Sequence, residues 1–209
     1  MVCRSHGIGT ARDEAAWVAL RRSPPLYPDA VTLRESATAG EVLRRVDRSA
    51  GCSVKDSFAA LDLAPDGFEV LFEAEWIHRP PLVEWLAPEL VWSEVGTPGE
   101  LRDWAAVHGG GAVFHPSLLA DQRLTILAGR AGDELVAGAI GNRSTDVVGI
   151  SNVFTTSPDI EQVWAEAAAA VSARLPGMPL VGYERDAELR AARRAGFASV
   201  GALRVWLAG

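Results

Sequence analysis

Two adjacent groups able to move protons, Tyr183 and Glu184, close the short apolar run from Met178 to Tyr183. The plain account of Tyr183 is an edge aromatic with its hydroxyl in solvent or on backbone; the chemical account is an acid or a hydroxyl partner for a ligand. His108 and His115 bracket Gly109-Gly110-Gly111. Imidazoles titrate near neutrality, so two of them on a Gly-rich link could act as base or gate, and equally they could be a helix-end and a helix-start histidine. Asn152, within Gly149-Ile150-Ser151-Asn152-Val153-Phe154, is a residue type depleted in strands. Its amide needs partners when buried, so it either bonds backbone at a bulge or touches a ligand, and in both cases it points inward and is hydrogen-bonded. Glu69, Glu73 and Glu75 share one face of a strand and read as a solvated sheet face rather than a carboxylate pair. Cys3 and Cys52 have neither CxxC nor His spacing, so no metal site and no disulfide framework is expected. The triple glycine is not followed by Lys-Ser/Thr and closes a helix, which excludes a phosphate loop there.

These groups are positioned by elements with clear start and stop signals. Thr10, Thr38 and Thr97 each begin a capping-box pattern, with Asp13, Glu41 and Glu100 as the acids at the third helical position and Pro98 at a first helical position. The three predicted helices run from Thr10 to the Pro24-Pro25 stop, along Val42, Leu43 and Val46, and from Thr97 to Gly109. Strict alternation predicts a strand from Phe68 to Trp76 with Phe68, Val70, Phe72, Ala74 and Trp76 inward. Residues 123–129, 134–141 and 147–154 read as three strands of an antiparallel meander. Ser157-Pro158-Asp159 then opens a long helix ending near Arg174, residues 178–183 form a buried strand, Asp186 caps a further helix closed by Gly196, and residues 199–207 supply the last strand. Trp17, Trp104 and Trp164 fall on inward helical positions, while Trp76, Trp85 and Trp92 cluster around prolines, where an interdomain seam, the favoured reading, or an apolar pocket could form.

The chain has 209 residues, 48% hydrophobic and 22% charged, enough apolar material for a substantial core. Its formal charge of −7 argues against an electrostatic hold on nucleic acid or an anionic membrane. Of the 20 basic residues only Lys55 is a lysine, a bias that fits GC-rich, bacterial-like coding. The opening residues lack a continuous apolar stretch, so no signal peptide is expected, and a cytoplasmic, reducing location fits.

From Leu90 onward the order of elements, and above all the ending PLVGYERDAELRAARRAGFASVGALRVWL, resembles the Gcn5-related N-acetyltransferase superfamily. The resemblance implies an α/β (α+β) fold with a central mixed, largely antiparallel sheet flanked by helices, over residues 90–209. Residues 1–89 have no counterpart in that pattern and are read as an N-terminal α/β extension or a degenerate second half of the same fold. It implies also an acyl-CoA donor, acetyl-CoA or another, whose pantetheine lies where residues 147–154 splay from residues 178–183, against the backbone of Val153, Phe154 and Thr155. Tyr183 and Glu184 are then the catalytic candidates, and Asn152, His108 and His115 the substrate-binding ones.

The sequence departs from that family in two places. The turn expected to hold the pyrophosphate through glycines is Thr155-Thr156-Ser157-Pro158-Asp159-Ile160-Glu161-Gln162, without a glycine, and with Asp159 and Glu161 in the first helical turn. The tyrosine that in many members lies four residues before the Gly of the Gly-Phe pair is Ala192 here. Two functions follow: an acyl-CoA-dependent N-acyltransferase of a small amine, or a non-catalytic binding or regulatory module with a protein partner. Neither involves nucleic acid, membrane or metal.

Overall fold

The structure is a computed structural model that describes residues 2–82 and 88–209. Trp85, one member of the expected tryptophan seam, lies outside the described residues. The chain divides into two compact units, Met1–Glu75 with Gly201–Gly209, and Trp76–Val200.

The first unit holds α1 (Val2–Ser5), β1 (Thr10–Arg12), β2 (Ala16–Ala19), β3 (Ala30–Thr32), α2 (Ala39–Leu43), β4 (Ser53–Asp56), the start of β5 (Phe68–Arg79) and the end of β11 (Ala198–Ala208). Strands β1 to β4 follow one another in space, and β4 pairs antiparallel with β11. The helix expected from Thr10 is instead the hairpin of β1 and β2. The reason is Asp13, whose Oδ1 accepts from the N–H groups of Ala15 and Ala16 at 2.9 Å each and turns the chain before a helix can form. The capping box at Thr38 is present in both halves. Ala16, Val18, Val42, Val54, Leu63 and Trp206 lie in this unit's core. On β5, Phe68 and Ala74 are buried as the alternation predicts, but Val70 is 46% exposed. Alternation tells which residues share a face and not whether a layer covers it.

The second unit contains the end of β5, β6 (Val91–Glu94), α3 (Pro98–His108), β7 (Leu124–Ala131), β8 (Glu134–Arg143), β9 (Val148–Thr155), α4 (Ile160–Arg174), β10 (Leu180–Glu184), α5 (Asp186–Arg194) and the start of β11. Its strand order is β5-β10-β9-β8-β7-β6. The antiparallel meander expected from the sequence runs through β7, β8 and β9, and β10 joins β9 in parallel. The mixed, largely antiparallel sheet flanked by helices is thus present. The core packs Trp164, Ala167 and Val171 of α4 with Leu127, Val148, Ile150, Leu180 and Phe197. The box at Thr97 starts α3, and Gly109, at φ 83°, stops it. Helix α4 begins later than Ser157-Pro158 suggests, because Asp159 provides the cap. No helix among the described residues is long and apolar enough to cross a membrane.

Candidate active site

The site is set by how β9 leaves β10. Their parallel ladder consists of Leu180 opposite Val148 and Val181 opposite Gly149, after which β9 continues to Thr155 against β8. Pairing with β8 shifts between Ile140–Ser151 and Gly138–Phe154, so Asn152 and Val153 face a single β8 residue. That is a bulge, and an extra residue in one strand bends it and increases its twist. Asn152 has φ 53°, in the left-handed region that Asn tolerates better than most side chains. The sequence singled out Asn152 as inward and hydrogen-bonded; it is half-buried, and its Nδ2 donates to Ser151 Oγ at 3.1 Å.

The Asn152 side chain also lies beside the imidazole of His108, the last residue of α3, and favours its charged form. That ring is stacked on Trp104 at 5.2 Å between centroids and 12° between planes, and meets the edges of Phe114 at 4.9 Å and Phe154 at 5.3 Å. Burial among these rings holds the His108 pKa below its ordinary value, with Asn152 opposing, which favours the neutral ring. Its Nδ1 is buried with no hydrogen-bond partner among the described residues. Trp104 is fully buried and donates from Nε1 to the Leu127 carbonyl at 2.9 Å. Gly138 makes room for this aromatic layer: a Cβ there would come within 2.3 Å of Trp104 Nε1 and 2.4 Å of the Phe154 ring.

Tyr183 and Glu184 close β10, both half-buried. Tyr183 meets Trp76 edge-on at 5.5 Å, and burial, with the Glu184 charge, raises its pKa. Burial, reinforced by Glu188 and opposed by Arg185, pushes Glu184 up to about 8. A carboxyl held protonated at neutral pH can donate a proton.

His108, Asn152 and Phe154 are therefore brought together, and Tyr183 and Glu184 stand on the strand from which β9 diverges. His115 is exposed and caps the short 3-10 helix Pro116–Ala120, its Nδ1 accepting from the Ser117 N–H at 3.2 Å. Val153 packs against the α4 side of the core, while Thr155 Oγ1 accepts from the Ser157 N–H at 2.9 Å.

Sequence reading missed the aromatic surround of His108, since Trp104 reads simply as core. It also passed over Glu166, an acid inside the Ala-rich run of α4. Its buried carboxylate accepts from the Glu89 N–H, the Leu90 N–H, Trp92 Nε1 and Gln162 Nε2, at 2.9 to 3.1 Å. Beside it lies a cavity of about 1040 Å³ whose walls include Arg79, Trp92, Gln162, Ala169 and Arg194.

No protein-family model matches the sequence, and no curated protein does. Among solved structures the chain is similar to a GCN5-related N-acetyltransferase from Kribbella flavida, at 16% identity and a TM-score of 0.69, over 99% of this chain and 91% of that one. It is similar to a functionally unknown conserved protein from Staphylococcus epidermidis, at 11% identity and a TM-score of 0.66, over 95% and 92%. It is similar also to a putative acetyltransferase of the GNAT family from Novosphingobium aromaticivorans, at 15% identity and 0.59, over 96% and 91%. The chain has the fold of the Gcn5-related N-acetyltransferases. Coverage of 99% carries the likeness through residues 1–89, which the sequence alone matched to nothing.

Proposed function

We propose that this chain is an N-acyltransferase that moves an acyl group from a thioester of the acyl-CoA type to a small amine. The observation that carries this reading is the parting of β9 from β10 beyond Val181 and Gly149, at the Asn152 bulge. Backbone polar groups of two strands that no longer pair with each other are free to take an extended, amide-containing ligand. The chain supplies both proton functions that aminolysis needs. His108, its neutral form favoured by burial and its ring held against Trp104, takes a proton; Glu184, held in its acid form, gives one, with Tyr183 beside it. Calorimetry with acetyl-CoA and longer acyl-CoAs, followed by transfer assays on a panel of amines, tests the reading. Absence of binding at millimolar ligand would sink it.

A second reading, a binding or regulatory module on the same fold, draws on Asp159 and Ala192. The Asp159 carboxylate sits on the N-terminus of α4, and Ala192 is fully buried with no hydroxyl to offer. Transfer to any amine that disappears in His108→Ala or Glu184→Gln would exclude it.

A further inference from the structure

The turn between β9 and α4 uses up its own donors. Thr156 N–H donates to the Val136 carbonyl at 2.8 Å, Ser157 N–H to Thr155 Oγ1 at 2.9 Å, and Asp159 N–H to Ser157 Oγ at 3.3 Å. Pro158 has no N–H. Gln162 N–H donates to Asp159 Oδ1 at 3.0 Å and Val163 N–H to the Asp159 carbonyl at 3.3 Å. From Thr156 to Val163 only Ile160 and Glu161 keep an N–H without such a partner among the described residues. The end of α4 that would favour an incoming anion already carries a carboxylate in that seat. The nearby cation, Arg194, is paired with Glu161 at 2.6 Å. A diphosphate arriving here would meet the Asp159 carboxylate, an Arg194 already engaged by Glu161, and few free donors. The residues present do not fit the pyrophosphate of CoA.

We infer that the donor is a pantetheine-type acyl thioester recognised by its thioester and amide arm alone, its diphosphate and nucleotide contributing nothing to binding. This rests on the acyl-transfer reading above and specifies its substrate. In the reaction the amine nitrogen attacks the acyl carbon, a C–N bond forms and the C–S bond breaks. The proton leaving nitrogen goes to His108, and the thiolate sulfur takes one from Glu184, so atoms and charge balance.

The test is calorimetry on the full chain with three probes: acetyl-CoA, S-acetyl-pantetheine and adenosine 3′,5′-bisphosphate. Dissociation constants for the two thioesters are expected within about threefold of each other, with no heat from the bisphosphate and no salt dependence for acetyl-CoA. Acetyl-CoA binding tighter by about tenfold or more, the size of effect a held phosphate produces, overturns the inference while leaving the acyl-transfer reading intact. Failure of both thioesters to bind defeats the acyl-transfer reading and this inference with it. Asp159→Gly, and separately Glu161→Gln, which keeps the cap, are expected to move the ratio toward acetyl-CoA. An unchanged ratio in both, with native circular dichroism, counts against the inference.

Discussion

Replacing Glu184 by Gln should stabilise the protein at alkaline pH and leave it nearly unchanged in acid. In the folded chain burial pushes this carboxyl up to about 8, against an ordinary 4.5. Between those values the folded state binds a proton that the unfolded state has released, so stability falls as pH rises through that window. At about 1.4 kcal/mol for each tenfold change in proton affinity, the full separation is roughly 5 kcal/mol once pH exceeds both values. Glu184 is half-buried and water reaches part of it, which reduces the expected effect to about 2–4 kcal/mol between pH 5 and pH 9. Gln has the same shape and does not titrate. The melting temperature of Glu184→Gln relative to wild type should therefore climb with pH, by roughly 5–10 °C over that range for a chain of this size. Thermal unfolding followed by circular dichroism at pH 5, 7 and 9 measures it. Parallel curves, with a constant difference at all three pH values, would refute the placement of Glu184 in a desolvated pocket.

Lys55 on β4 should show the opposite slope. Its register neighbours, Val31 on β3 and Val205 on β11, are uncharged, and burial lowers its pKa to about 8. Stability tied to Lys55 is gained as pH rises from about 8 toward 10.5, so Lys55→Met should gain roughly 1–3 kcal/mol below pH 8 and progressively lose that advantage above it, as read from urea unfolding at a series of pH values. Gly138→Ala should destabilise by about 2–4 kcal/mol through collision with Trp104 and Phe154. Gly149→Ala, where a Cβ would meet Asn142 Cβ at 3.6 Å, is the control and should be far milder in the same denaturation assay. Glu166→Ala should remove about 3 kcal/mol by leaving the Glu89 and Leu90 N–H groups and the Trp92 indole without their acceptor, with a shift in tryptophan emission as Trp92 is released.

The fold was legible where local signals agree with burial. The boxes at Thr38 and Thr97, the three strands of the meander and the Gly196 stop each combine a start or stop residue with an apolar period. The Thr10 segment misled because Asp13, the acid at the third position of its capping pattern, instead collects the Ala15 and Ala16 N–H groups and turns the backbone. Strands as short as Ala30–Thr32 and Ser53–Asp56 carry too few residues for alternation to register. At the site, Asn152 was visible as a strand anomaly, and Tyr183 and Glu184 as polar residues ending an apolar run. The approach of Asn152 to His108 was not visible, because it depends on a bulge that only pairing with β8 defines. The environment of Glu184 was equally hidden, since burial is a property of the packed neighbours and not of the residue.

The bond from Trp104 Nε1 to the Leu127 carbonyl bears on how ready the site is before any ligand arrives. His108 occupies the final turn of α3, where helices ordinarily fray. One turn earlier the indole is anchored to β7, and the imidazole stacked on it inherits a fixed plane. The rotational freedom of that ring is thus removed during folding, so in the proposed acyl-transfer reading little further ordering of His108 would be needed on encounter with an amine.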